Sequence, residues 1–272
     1  IGMHKTGTSA IQSFLSRKST ELLSRDSVLY VETGRELSAK SMHSGHHKVA
    51  WSTVKRYSNK KEANLGNKRW KKVLEEIESK SPNKAVISSE FFWPAVRKEI
   101  KNIKKITNKY NVKIIIYVRN HLDMFVSLYK QVLKGEKYCG GIIELLDNRK
   151  WILDYENIIG NWEEMFGSKN VHVRIFDKYK ENVVGDFAKV VGIEASGGCG
   201  KRLNVSLPNG VMYLIRGLNI AERNLPPSCE GLLDRARRNI IAQRQPGKAL
   251  SRVVGPLLPS AIMGPAERDR FR

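Results

Sequence analysis

The chain has 272 residues, enough for one large α/β domain or for a domain with an extension. Hydrophobic residues make up 41% and charged residues 28%, with 9 Pro and 21 Gly, which excludes collagen-like, coiled-coil and wholly disordered classes. Lys and Arg number 48 against 27 Asp and Glu, and the resulting charge of +21 exceeds what solubility needs, so an anionic ligand or partner is expected, without saying which anion.

In chain order, Ile11, Phe14, Leu15, Leu22 and Leu23 fall on helical spacings, and Ser27–Val31 reads as a strand after the polar break at Arg25-Asp26. Helical pieces follow around Val49–Tyr57 and Asn67–Ser79, the latter with Trp70, Val73, Leu74 and Ile77 in one buried stripe. Trp51 and Trp70 read as packing residues. Ala85–Glu90 is the next strand, and Pro94 suits the first turn of a helix. The nearly unbroken Ile/Val run of Val112–Arg119 is what a strand covered on both faces needs. Helices are expected over Asp123–Lys134, Asn157–Phe166 and Val183–Val191, each stopped by a glycine, with a strand at Val171–Phe176. The alternation predicts an α/β fold: three layers around a central parallel sheet. The division expected is a core over 1–195 and a helical, Arg-rich extension over 196–272, packed on that core within the same domain.

Cys139, Cys199 and Cys229 are odd in number, widely separated and without metal-ligand spacing, which argues against a disulfide framework or a zinc site. A reducing compartment, and hence a cytoplasmic location, fits them. The longest apolar stretch, Ile114–Val118, falls far short of the roughly 20 residues that span a bilayer. The opening Ile1-Gly2-Met3-His4 and the stop at Phe271-Arg272 read as ends cut from something longer.

The most informative residues come first: Gly2-Met3-His4-Lys5-Thr6-Gly7-Thr8-Ser9 lead into the helical pattern from Ile11. Backbone N–H groups at a helix start, two glycines, an ammonium and several hydroxyls make a phosphate cradle. The loop differs from the triphosphatase form G-x-x-x-x-G-K-[ST], because Thr8 follows Gly7 and the lysine precedes that glycine by two positions. A magnesium-dependent triphosphate site is therefore disfavoured. His-Lys-Thr-Gly-Thr-Ser followed by Gln12 closely resembles the 5′-phosphosulfate loop of sulfotransferases that use 3′-phosphoadenosine 5′-phosphosulfate (PAPS). A second match lies at Tyr117–Tyr129, which resembles that family's 3′-phosphate element, an arginine at a strand end and a serine eight positions on, here Arg119 and Ser127. An arginine fork grips phosphate oxygens bidentately while a hydroxyl in the next helix donates from another side. Weaker agreement continues through Trp162, Val171–Phe176 and Asn204–Leu207, so the resemblance to bacterial and carbohydrate-type sulfotransferases covers roughly 1–215. It departs at two points: Ile1 alone remains of the strand before the loop, and the arginine-lysine-glycine loop of the cytosolic branch is absent, with Lys201 and Arg202 as candidate substitutes.

The resemblance implies sulfuryl transfer from PAPS, as cosubstrate, to an acceptor hydroxyl, with no metal. Lys5 would stabilise the leaving phosphate, while Thr6, Gly7, Thr8 and Ser9 hold the 5′-phosphate. Glu90 is the first choice of base, because parallel α/β sheets carry ligand sites at the carboxyl ends of their strands; its competing reading is a helix-preceding carboxylate or an ion pair with a lysine. The alternative is one of His46 and His47, whose titration near neutrality suits base work. His4 reads as a shaping or phosphate-side residue of the loop. The charge favours an anionic glycan or other acidic acceptor, with a carbohydrate hydroxyl as the leading choice. A kinase and a basic nucleic-acid-binding protein are the competing functions; the misplaced lysine counts against the first and the lack of a reading motif against the second.

Overall fold

The computed structural model describes residues 3, 5–35, 44–57, 65–195, 209–226, 228 and 230–242. They divide into two compact units, Ile1–Met124 with Arg149–Leu203, and Phe125–Asn148 with Asn204–Arg272.

In the first unit the chain leaves the N-terminal loop into α1 (Thr8–Arg17) and α2 (Ser19–Asp26), then forms β1 (Val28–Tyr30). Helices α3 (His47–Trp51) and α4 (Gly66–Lys80) precede β2 (Lys84–Val86), which pairs with β1 in parallel, Tyr30 opposite Val86. Next come a 3₁₀ turn at Glu90–Phe92, α5 (Arg97–Ile106) and β3 (Ile114–Val118). Helices α6 (His121–Gly135), α7 (Ile142–Arg149) and α8 (Tyr155–Phe166) lead to β4 (Val171–Ile175), parallel to β3 with Ile114 opposite Val171. The short α9 (Phe176–Tyr179) and α10 (Val183–Val191) follow. Strands connected through helices are therefore parallel, as the alternation predicts; among the described residues they form two pairs, β1-β2 and β3-β4.

Strand periodicity of two places Ile115 and Tyr117 on one face of β3. There they join Ile11, Phe14 and Leu15 of α1 and Val183, Phe187 and Ala188 of α10 in the main buried cluster. Asp186 anchors that side by accepting from Tyr117 (2.7 Å) and pairing with Arg174 of β4. Burial alone would raise its pKa, but these partners outweigh it and hold the carboxyl below its usual range. Apolar side chains of α1, α4, α10, β2 and β3 line a cavity of about 700 Å³. The Met3 N–H donates to Tyr117 O.

Two expectations need correction. The strand predicted over Ala85–Glu90 ends at Val86, because Ser88 bonds to His46 and Ser89 caps the 3₁₀ turn by accepting from Phe91 N–H. The helix after Pro94 starts three residues later, at Arg97, where Glu99 accepts from Val96 N–H at 3.0 Å.

The second unit takes α6 from Phe125 onward and α7 as far as Asn148, and adds α11 (Asn209–Asn224) and α12 (Glu230–Ala242). The Asn219 amide donates to Leu133 O and Tyr138 O, satisfying carbonyls left open where α6 ends. Arg237 donates to Asn219 and pairs with Glu222 and Asp234, and Lys137 also pairs with Glu222. Among the described residues, no helix is long and apolar enough to cross a membrane.

Candidate active site

The loop before α1 takes its shape from two residues with left-handed backbone, Lys5 (φ 68°) and Gly7 (φ 76°). Glycine suits position 7 for a second reason: a Cβ there would sit 3.0 Å from the side chains of Phe176 and Val183. Thr6 is fully buried and its hydroxyl donates to Met3 O at 2.7 Å, which closes the loop on itself. Gly7 O accepts from the N–H groups of Ala10 and Ile11, starting the helix without a side-chain cap and without an acidic residue in its first turn. The N-terminal end of α1 therefore keeps the partial positive charge that favours an anion. Thr8 is buried at that end, while Lys5 and Ser9 are exposed. His4, Lys201 and Arg202 lie outside the described residues.

Glu90 opens its 3₁₀ turn four residues past β2, with its side chain 18% exposed. Its Oε2 lies 3.4 Å from Gln12 Nε2 and 3.8 Å from His47 Nδ1. Gln12 belongs to α1, so the helix that leaves the loop also touches this carboxylate. His47 Nδ1 is 3.0 Å from Ser89 Oγ, which in turn caps the turn that carries Glu90. Phe91 packs edge-on against His47, Trp51 and Tyr57, and Arg56 stacks 3.9 Å over Trp151. Burial pushes the Tyr57 phenol up to about 12, so it stays protonated and can donate a hydrogen bond at neutral pH.

His46 is a different kind of residue from His47. Its ring is fully buried, Nδ1 accepts from Ser88 N–H at 3.0 Å and Nε2 faces Val31 O at 2.7 Å. Both nitrogens are spent on backbone, one beyond β1 and one beyond β2, leaving none for a substrate; the ring is a structural tie, which corrects its candidacy as a base. Burial lowers its pKa from 6.5 to about 4. The unfolded chain then takes up the proton first as pH falls, so the stability this ring provides is complete above about 6.5 and lost on the way down to about 4. The expected loss is roughly 3 kcal/mol. Urea unfolding of the native chain and of His46→Asn between pH 7 and 4 checks it; parallel curves would refute it.

Arg119 follows β3 with its side chain 23% exposed and Nε 3.4 Å from Asp177 Oδ1, an ion pair without hydrogen-bond geometry. Asp123 lies 3.9 Å away, Phe176 packs beneath the guanidinium, and Tyr155 donates to the Arg119 carbonyl. Ser127 is half-buried within α6, in the second unit. Sequence reasoning singled out neither Asp177 nor the aromatic set around Glu90; Trp51 and Trp70 it read as packing residues, and Trp51 is half-buried with Trp70 buried.

A sulfotransferase domain model matches residues 1–194. An uncharacterized protein of Archaeoglobus fulgidus is 28% identical over 153 residues, covering 52% of this chain and 40% of that protein, so the chain spans well under two thirds of its relative's length. A crystal structure of a sulfotransferase from Alicyclobacillus acidocaldarius matches at 15% identity with a TM-score of 0.48, covering 88% of this chain and 96% of that one. With the family model running from the phosphate-type loop through β4 and α10, the chain belongs to the sulfotransferase domain family.

Proposed function

We propose that the chain transfers a sulfuryl group from PAPS to a carbohydrate hydroxyl by in-line displacement. The observation that carries this reading is Glu90 held by Gln12 of α1, which ties a candidate base to the helix that begins at an anion-binding loop. The acceptor oxygen bonds to sulfur as the bond from sulfur to the bridging phosphate oxygen breaks. The acceptor proton passes to the Glu90 carboxylate, and the electron pair stays on the departing 3′,5′-adenosine bisphosphate. Lys5 stabilises that developing charge, and Thr6, Gly7, Thr8 and Ser9 hold the 5′-phosphate. Arg119, shared with Asp177, and Ser127 grip the 3′-phosphate. For the acceptor, Trp51, Tyr57 and Phe91 beside Glu90 offer apolar faces for a sugar ring, and the charge of +21 favours an anionic glycan.

Calorimetry in EDTA tests the nucleotide assignment. The bisphosphate should bind about 10–100-fold more tightly than 5′-AMP, which lacks the group Arg119 and Ser127 would hold. Equal affinities would remove both residues from the site. An acceptor screen with labelled PAPS across sugars, phenols, lipids and peptides tests the carbohydrate assignment.

A further inference from the structure

We propose that Gln12 is a positioning residue for the base: its side-chain amide fixes the Glu90 carboxylate from α1, so the proton acceptor and the phosphate loop move as one piece. The inference rests on the reading of Glu90 as base.

Gln12 is 3% exposed, on an α1 stripe otherwise made of Ile11, Phe14 and Leu15. An amide buried among apolar side chains is costly unless it is hydrogen-bonded. Its Nε2 has two acceptors, Glu90 Oε2 at 3.4 Å and Ser88 Oγ at 3.3 Å, and a carboxylate as partner sets that atom as the donor. Space around the amide is closely fitted. A Cβ at Gly45 would lie 2.8 Å from Gln12 Nε2 and 2.7 Å from His47 Cε1, so glycine there allows both side chains to converge on Glu90. A neutral donor suits a base. It orients one carboxylate oxygen and leaves the other for the acceptor proton, whereas a cation in its place would hold the carboxylate ionised and weaken its basicity.

The groups that bear on Glu90 include His47 of α3, with Tyr30 at the end of β1 and Tyr57 within electrostatic range; Arg35 stands by Tyr30, and Arg56 and Arg149 by Tyr57. None of these changes when Gln12 is replaced. Gln12→Glu sets a second carboxylate against the first, and like charges that close raise the pKa of the pair. The acid limb of the kcat/KM profile should then move up by about one pH unit or more. Gln12→Leu, which fills the space but cannot donate, should lower kcat about tenfold with unchanged bisphosphate affinity. The limb shift reports that the side chain at position 12 lies against the base, while a purely structural glutamine would not lower kcat alone. An unshifted limb in Gln12→Glu, or a full kcat in Gln12→Leu, overturns the proposal. Should Gln12→Glu fail to fold, the kcat of Gln12→Leu decides. A fully active Glu90→Gln enzyme would instead overturn the reading of the base, so the two failures are distinguishable.

Discussion

Glu90→Gln should lower kcat by roughly 10²–10⁴-fold with bisphosphate affinity unchanged. The substitution keeps the size of the side chain, and its amide oxygen can still accept from Gln12, so the 3₁₀ turn and its Ser89 cap are retained. What disappears is the capacity to take a proton from the acceptor. The aromatic contacts of Phe91 with His47, Trp51 and Tyr57 do not involve the carboxylate, so the surroundings should persist. His47→Ala should be much milder, since that ring lies 3.8 Å from Glu90 and acts beside it. Steady-state turnover with saturating PAPS is the measurement. Near-normal kcat in Glu90→Gln together with its collapse in His47→Ala would move the base to the histidine.

Lys5→Ala should reduce kcat by about 10²–10³-fold and weaken nucleotide binding far less. In the proposed mechanism the loop backbone and the start of α1 would bind a phosphate already present in the ground state, whereas the ammonium would act on charge that appears only as the sulfur–oxygen bond breaks. The variant removes a side chain that is exposed in the structure, so the fold should tolerate it. The split between kcat and KM is diagnostic. If KM for PAPS rises while kcat is retained, Lys5 is a binding residue and the leaving-group assignment fails.

Local chemistry was legible in the sequence; contacts between distant segments were not. The loop could be read because its lysine, glycine and hydroxyls are contiguous, and β3 because its Ile/Val run admits one interpretation. The limits of α10 match the expectation for the same kind of reason, a glycine stop after an amphipathic run. Beyond β2 the pattern misled, because Val86-Ile87 looks like a continuing strand while the backbone at Ser88 bonds to His46, 42 residues away in the chain. That bond also hid the difference between the two histidines. Adjacent in sequence and both buried, one is a tie between strand ends with both ring nitrogens on backbone, and the other has its Nδ1 3.0 Å from Ser89 Oγ and 3.8 Å from Glu90. Gln12 was visible as a motif letter, but its partners Ser88 and Glu90 are 76 and 78 residues away, a separation at which periodicity carries no information. The helix α7 had no cap or stop distinct enough to reveal it.

The left-handed backbone at Lys5 carries a thermodynamic consequence. A non-glycine residue held at positive φ costs of order 1–3 kcal/mol, and it persists where its surroundings leave no alternative. Here the Thr6 hydroxyl bonds to Met3 O, and Phe176 and Val183 leave little room for a Cβ at Gly7. The cost is therefore met during folding, before any ligand arrives. An anion entering such a loop gives up its own translational freedom and some hydration, but finds little main-chain disorder left to remove. Binding of the nucleotide should accordingly resemble a rigid encounter, with its selectivity set by where the donors already point.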